Sequence, residues 1–109
     1  MFMVERFKGE IMNDPIDPLM SEDRVPSYEA VEEIIREIDH TIIIYRVYYL
    51  LGVFIYRFQL IKKDKMCIIE IPGVLLESIG KDGTKAEQEL SKIINTKVED
   101  EESWFELRT

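Results

Sequence analysis

The sequence has few of the residues that form covalent or metal-linked frameworks. Cys67 is its one cysteine and His40 its one histidine. A single cysteine excludes an intrachain disulfide and slightly favours a reducing, cytoplasmic location. A zinc site needs several Cys or His side chains at ligand spacing, so we predict no metal and no cofactor. Cys67 lies in an apolar segment and is interpreted as a small buried hydrophobic residue.

Amide side chains are equally scarce, since two Asn and two Gln are all that the chain contains. Ile, Glu and Lys are plentiful instead, a balance typical of hyperthermophile proteins and also of proteins from AT-rich genomes. The amino-terminal segment MFMVERFKGEIM has charged residues where a secretory signal needs an apolar core, which argues against a secreted protein.

The chain has fewer positively charged residues than negatively charged ones. The formal net charge of −8 argues against general nucleic-acid binding, because contact with phosphates needs a basic face. The length of 109 residues is enough for one domain with one core. We therefore expect residues 1–109 to form a single domain whose partner is not nucleic acid.

Two long helices are predicted from apolar residues at helical spacing. The first covers 28–39, with Ser27 as a candidate N-cap and acidic residues in its first turns. The second covers 85–95, where Thr84 and Glu87 match the pattern of a capping box. A short helix, VLLESI, is expected between the sheet and this second helix.

β-branched and aromatic residues predict an antiparallel sheet of at least three strands between the helices, over 42–50, 53–62 and 66–71. This order of elements makes the fold class α+β. Residues 13–26 hold three of the four prolines and are expected to form an irregular loop. The acidic segment 98–109 is either a docking tail or a last strand or helical turn pinned by its tryptophan.

Residues 42–61 contain two charges, Arg46 and Arg57, and are long enough to span a membrane as a helix. Twelve of the twenty residues are Ile, Leu, Val or Phe, worth about −6 kcal/mol on the insertion scale, but each arginine costs about 3 kcal/mol near the helix centre. The two contributions nearly cancel, and the β-branched and aromatic bias favours two strands that meet at Gly52. We therefore predict a hairpin rather than a membrane span.

The register of the first hairpin is predicted from charge. A two-residue turn at 51–52 would place Arg46 directly opposite Arg57, and like charges in that arrangement destabilise a sheet. A three-residue loop over 50–52 pairs Arg46 with Tyr56 instead and places a glycine where a left-handed conformation is needed. We predict the three-residue loop.

The second hairpin is expected to turn at Lys63 and Asp64. A two-residue turn there places Arg57 directly across from Glu70, so a structural ion pair is predicted between neighbouring strands. A ligand-binding centre flanked by Tyr45 and Tyr49 is the alternative interpretation of these two charges. The structural ion pair is the simpler of the two interpretations.

The predicted register leaves both faces of the sheet apolar. Helices from the two ends of the chain can cover one face, and the other should be mainly polar if only water covered it. A second copy of the chain is the simplest cover, in a two-fold homodimer; the alternative is that the N-terminal segment and the acidic tail fold over this face. The predicted interface residues are Tyr45, Val47, Tyr49, Ile55, Ile61 and Ile68.

Other candidate sites have simpler explanations. His40 follows Asp39 at the end of a predicted helix, where a histidine stabilises the helix end, and no nucleophile pattern accompanies it. The segment GKDGT lacks the spacing of a phosphate-binding loop. Glutamates of the first helix are expected to form a solvated face. We predict no catalytic residue and no enzymatic activity.

The sequence therefore favours a small non-enzymatic interaction or assembly module that acts as a homodimer and binds a further protein. The alternative is a nucleic-acid-binding protein that uses a basic strip of Arg46, Arg57, Lys62, Lys63 and Lys65. The order helix, three strands, helix also resembles that of double-stranded RNA-binding domains, but the resemblance stops at topology because the last helix begins with TKAEQE rather than with a lysine cluster. A small-molecule-binding or membrane-associated protein is a further alternative.

Overall fold

The computed structural model describes residues 24–81 and 83–107 of the chain. Their elements follow the order α1 (Tyr28–Ile38), β1 (Ile43–Leu50), β2 (Ile55–Lys62), β3 (Lys65–Pro72), α2 (Gly73–Ser78), α3 (Lys85–Val98), a 3-10 helix (Glu101–Ser103) and β4 (Trp104–Glu106). All neighbouring strands are antiparallel, and the sheet order is β1-β2-β3-β4. The predicted α+β class is confirmed, with the three predicted strands and both long helices.

The segment with two interpretations, 42–61, forms the hairpin of β1 and β2. In the part of the chain that the structure describes, no helix combines the length and apolar character that a membrane crossing requires. Of the predicted loop over 13–26, all but the last three residues lie outside the described ranges. The acidic segment 98–109 adds β4 to the sheet, and Trp104 Nε1 donates to the carbonyl oxygen of Val98 at 2.9 Å.

Three helices cover one face of the sheet and form the core with it. The fully buried strand residues come from β2 and β3: Phe58, Leu60, Cys67, Ile69 and Ile71. The helices contribute Val31 and Ile35 from α1, Leu76 from α2, and Leu90 and Ile94 from α3. Burial alternates along β2 and β3 with a period of two residues, as expected for strands that have one covered face.

The β2–β3 hairpin has the predicted register. It turns at Lys63 and Asp64, with Lys63 in the left-handed region at a φ of 58°. Arg57 lies directly opposite Glu70, as the two-residue turn requires.

The β1–β2 hairpin differs from the prediction in its loop. The loop has four residues, because Leu50 lies opposite Ile55. Its left-handed residue is Phe54, at a φ of 53°, and not the glycine. Tertiary packing holds Phe54 there: its ring is edge-on to that of Tyr49, with centroids 6.0 Å apart, and lies against the backbone of Gly73.

A β-bulge in β1, between Ile44 and Arg46, shifts the register again. Arg46 therefore lies opposite Gln59, and its predicted pairing with Tyr56 is wrong. The repulsion between two arginines is still avoided, but by the combination of a longer loop and a bulge rather than by a three-residue loop.

The bulge also reverses which residues of β1 face the helices. One extra residue in a strand moves every later side chain to the opposite face. Val47 is consequently 3% exposed and belongs to the core, and Tyr49 packs against that core. Their assignment to the uncovered face, and with it to the predicted interface, is wrong.

The side chains predicted to cap the two long helices make no cap hydrogen bonds, and two of them, Ser27 and Glu87, make tertiary contacts instead. Ser27 donates its hydroxyl to the carbonyl of Leu76 at 2.7 Å and makes no cap hydrogen bond to α1. Thr84 makes no side-chain cap either, and Glu87 Oε2 accepts from the amide of Gly80 at 3.1 Å. A capping box needs both side chains to return to amides of the same helix start, so that prediction is wrong. The same side chains tie α1 to α2 and the α2–α3 loop to α3.

Candidate functional site

The sheet face opposite the helices, called the open face below, has no covering element among residues 24–81 and 83–107. Side chains of all four strands form an apolar row across it: Ile43, Ile61, Met66 and Phe105. The outer members are 56% exposed for Ile43 and 48% exposed for Phe105. A sheet face in contact with water carries mainly polar side chains, so an uncovered apolar row across four strands is unusual.

Charged side chains also cross the open face, with the row of Gln59 and Ile68 between them and the apolar row. Tyr48, Arg57 and Glu70 lie next to one another on β1, β2 and β3. Glu70 Oε2 accepts from Arg57 Nε at 2.9 Å and from Nη2 at 2.7 Å. The two side chains are 33% and 45% exposed, so water screens the pair and its contribution to stability is small. The position of the Arg57–Glu70 ion pair, directly across two neighbouring strands, fits a role in fixing the β2–β3 register.

Arg46 is held between two tyrosines at the exposed edge of β1. Its Cζ is 4.9 Å from the centroid of the Tyr45 ring, and its Nη1 donates to Tyr48 Oη at 3.2 Å. The hydrogen bond to Tyr48 is the main reason why the pKa of Arg46 is raised above its usual value. Tyrosine and arginine are among the residue types most enriched where protein interfaces gain their energy.

Four of the six predicted interface residues remain available to a partner. Ile55, Ile61 and Ile68 lie on the open face and are half-buried, and Tyr45, in the bulge, is 49% exposed. The other two are the core-facing residues moved by the bulge. Met66 and Phe105, which the sequence reasoning did not assign to the interface, complete the apolar row because β4 extends the sheet.

The basic strip proposed for nucleic acid is not a free cationic surface. Arg57 and Lys62 are each bound to a carboxylate, and Arg46 is engaged by the tyrosines. Lys63 and Lys65 are exposed at the β2–β3 turn, on either side of an aspartate. The strip therefore offers few uncompensated charges to a phosphate backbone.

Asp39 ties the end of α1 to the end of β2. Its Oδ2 lies 2.6 Å from Lys62 Nζ, and its Oδ1 accepts from the Thr41 hydroxyl at 2.6 Å and the Thr41 amide at 2.9 Å. The hydrogen bond from Lys62, followed by those from Thr41, holds the pKa of Asp39 well below its usual range. Each of these bonds favours the ionised carboxylate.

Asp39→Asn is expected to lower thermal stability most at neutral pH. The folded-state pKa lies below the unfolded value of about 3.9, so the stabilisation is complete above that value and is lost as the pH falls through the folded-state pKa. The difference in melting temperature between the native chain and Asp39→Asn should therefore shrink as the pH is lowered from 6 to 2. Asp64→Asn, which removes a nearby exposed carboxylate, is the control. An Asp39→Asn difference that stays constant with pH would contradict this assignment.

Cys67 and His40 are the two side chains whose chemistry could serve a reaction, and their surroundings do not promote it. Cys67 is fully buried, with its Sγ 3.9 Å from the carbonyl oxygen of Lys97. Burial raises the pKa of the Cys67 thiol, which disfavours the reactive thiolate. His40 is exposed in the turn after α1. Within the described ranges, no three or more His, Cys, Asp or Glu side chains are grouped to hold a metal ion.

A groove at the outer edge of β3 was not expected from the sequence. It has a volume of about 570 Å3 and is lined by Ile68 and Glu70 of β3 and by Glu89, Lys92, Ile93, Thr96 and Lys97 of α3. The α3 residues recur at helical spacing beside the buried stripe of that helix, a signal visible in the sequence. The groove itself depends on the shortness of β4 and on the path of α3 along β3, and neither is encoded locally.

Comparison of the chain with protein-family models, with curated proteins and with solved structures finds no match.

Proposed function

We propose that the protein is a small non-enzymatic interaction module that assembles as a homodimer through its open face. The apolar row carries this proposal, because it crosses all four strands and its outer residues, Ile43 and Phe105, are about half exposed. Burying such a row against a second sheet removes apolar surface from water, which is the main driving force of association.

The charges of the open face suit a two-fold arrangement. Arg57 and Glu70 lie side by side near the middle of the face. In a two-fold dimer each surface meets a copy of itself, so the arginine of one copy can approach the glutamate of the other without leaving an unpaired charge. Tyr45, Arg46 and Tyr48 provide a polar and aromatic rim beside the apolar row.

Ile43→Lys is expected to raise the dimer dissociation constant about tenfold, because it places an ammonium group at the rim of an apolar contact. The matched control is Val74→Lys on α2, which adds the same charge at a side chain that is 65% exposed and away from the open face. Sedimentation equilibrium of the full chain over a wide concentration range measures both constants.

The native chain should show a concentration-dependent mass between monomer and dimer. A monomer mass at every concentration would contradict the dimer, and equal effects of Ile43→Lys and Val74→Lys would contradict the choice of face. Retention on immobilised DNA or RNA at low salt would favour nucleic-acid binding instead. The net charge of −8 and the engaged basic strip favour no retention.

A further inference from the structure

The side chains of the open face form rows that run across the strands. The apolar row takes one residue from each of the four strands. The next row holds Arg46, Gln59 and Ile68, and the charged row beyond it holds Tyr48, Arg57 and Glu70. A second copy that covers this face must place apolar residues over apolar residues and must keep like charges apart.

The apolar row limits the angle at which two copies can meet. Sheets that pack face to face keep their strands aligned to within about 30° or cross them at about 90°. At 90° the apolar row of one copy would run along the strands of the other copy, and the two rows would meet at a single position. Two such rows can cover each other along their length only when the strands of the two copies are aligned.

The position of the apolar row in the strands determines the direction of the two-fold axis. In a symmetric face-to-face contact the axis lies between the two sheets and parallel to them, so with aligned strands it runs either across or along the strands. An axis across the strands would have to lie on the apolar row itself. Ile61 and Met66 are each one residue from the end of their strand, beside the turn at 63–64, so the sheets would then overlap only at their ends. An axis along the strands places every row over its own copy.

The charged row determines where an axis along the strands must lie. An axis on β2 would place Arg57 over Arg57 of the other copy, and an axis on β3 would place Glu70 over Glu70. Between β2 and β3, at the centre of the four-stranded sheet, Arg57 of each copy lies over Glu70 of the other. Each charge then keeps the ion pair within its own chain, with 2.7 Å between Arg57 Nη2 and Glu70 Oε2, and gains an opposite charge across the contact.

We propose that the homodimer is built around a two-fold axis that runs along the strands between β2 and β3. This arrangement rests on the proposed homodimer and states which residues meet in it. Strand β1 lies over β4 of the other copy, and β2 lies over β3. Ile43 therefore packs on Phe105 of the other copy, and Ile61 packs on Met66. Because Ile43 and Phe105 are each about half exposed in a single chain, both bury apolar surface in this contact.

The row between the apolar and charged rows adds no opposing charges. Gln59 lies over Ile68 of the other copy. Arg46 stays at the rim, because β4 begins at Trp104 and does not extend to this row. The apolar row therefore supplies the driving force of the contact, and the charged row determines its register.

Cross-linking of mixed chains tests which residues meet. The full-length variants Ile43→Cys and Phe105→Cys are mixed, allowed to exchange subunits and treated with a short bis-maleimide. The mixture should give a covalent dimer. Either variant alone should not, because the two copies of each residue lie on opposite sides of the axis, about 14 Å apart across the strands. The controls are Val74→Cys, exposed on α2 and away from the open face, and the native chain, whose Cys67 is fully buried.

Charge reversal tests the position of the axis. Arg57→Glu and Glu70→Arg should each raise the dimer dissociation constant at least about tenfold, because like charges then meet across the contact. The double variant should return to the native constant, since opposite charges meet again. Glu77→Arg, at an exposed position of α2, makes the same change of charge away from the open face and should have little effect. Sedimentation equilibrium measures all of these constants.

The outcomes separate this arrangement from the homodimer itself. A native chain that is monomeric at every concentration would overturn both. If the native chain dimerises, three results would overturn the arrangement alone: no covalent dimer in the mixture, equal cross-linking of Ile43→Cys with itself, or a double charge variant that associates no better than the single ones. Equal cross-linking of Ile43→Cys with itself would indicate an axis across the strands. If a cysteine variant does not dimerise, the charge reversals decide the outcome.

Discussion

Phe58→Ala is expected to lower the free energy of unfolding by about 3–5 kcal/mol. The side chain is fully buried in β2, between Val47 of β1 and Ile69 of β3, and its ring centroid is 6.5 Å from that of Tyr28. Alanine would leave a cavity bounded by three strands and a helix, which are too constrained to close around it. Such a loss is a large part of the total stability of a small domain, about 5–15 kcal/mol. Urea unfolding followed by circular dichroism measures it.

Ile61→Ala is the matched control for Phe58→Ala. Ile61 lies in the same strand, on the open face, and is half-buried. At a protein concentration where the native chain is monomeric, its loss should cost about 1 kcal/mol or less, because little new cavity forms. Equal costs for the two variants would mean that the open face is covered within a single chain, and the assignment of the two faces would be wrong.

Gly73→Ala is expected to destabilise the fold by about 2–3 kcal/mol. Gly73 is the first residue of α2, where alanine would normally be the better helix former. A Cβ there would overlap the ring of Phe54, which lies against the glycine and whose carbonyl accepts from the Gly73 amide at 2.9 Å. The ring cannot move without losing its contacts with Tyr49 and Tyr56. Thermal and urea unfolding of the variant measure the loss.

Two comparisons isolate the cause of the Gly73→Ala effect. In a Phe54→Ala background the same substitution should cost little, so a double-mutant cycle should show strong coupling. Gly52→Ala, in the same loop as Phe54, adds a Cβ that meets nothing within 4 Å and should be neutral or slightly stabilising. A Gly73→Ala penalty that persists without the Phe54 ring would refute this explanation.

Local sequence information was sufficient for the elements and for one of the two hairpins. The turn at Lys63 and Asp64 has the shortest loop of the sheet, and the charges of Arg57 and Glu70 select the same register as the turn. Because the turn and the cross-strand ion pair favour the same register, no contact distant in sequence is needed to specify this hairpin. The helices were likewise predictable from their apolar spacing.

The first hairpin was not predictable in detail, because its loop is determined by a contact distant in sequence. Phe54 adopts the left-handed conformation that the sequence assigned to Gly52, and its ring packs on Gly73. No local rule places a bulky aromatic residue at a positive φ. The bulge in β1 is likewise determined by distant contacts, because its effect on stability depends on which side chains α1 and α3 bury.

The candidate surfaces were predictable to different degrees. The apolar excess on both sheet faces indicates from the sequence alone that something must cover the second face. Ile55, Ile61 and Ile68 do lie on the open face, and their role in an interface stays a prediction. The groove depends on β4 ending its pairing at Cys67 and on the path of α3. Residue patterns specify which side of a helix is polar but not which neighbour that side meets.

The bulge in β1 has a consequence for how copies of the protein can assemble. Regular strand edges on both sides of a sheet would let each copy join two others, and such head-to-tail contacts can extend into open filaments. The bulge between Ile44 and Arg46 breaks the regular spacing of backbone groups along one side. A strand added at this edge could therefore pair regularly only with the five residues from Arg46 to Leu50, which limits edge-wise growth of the sheet.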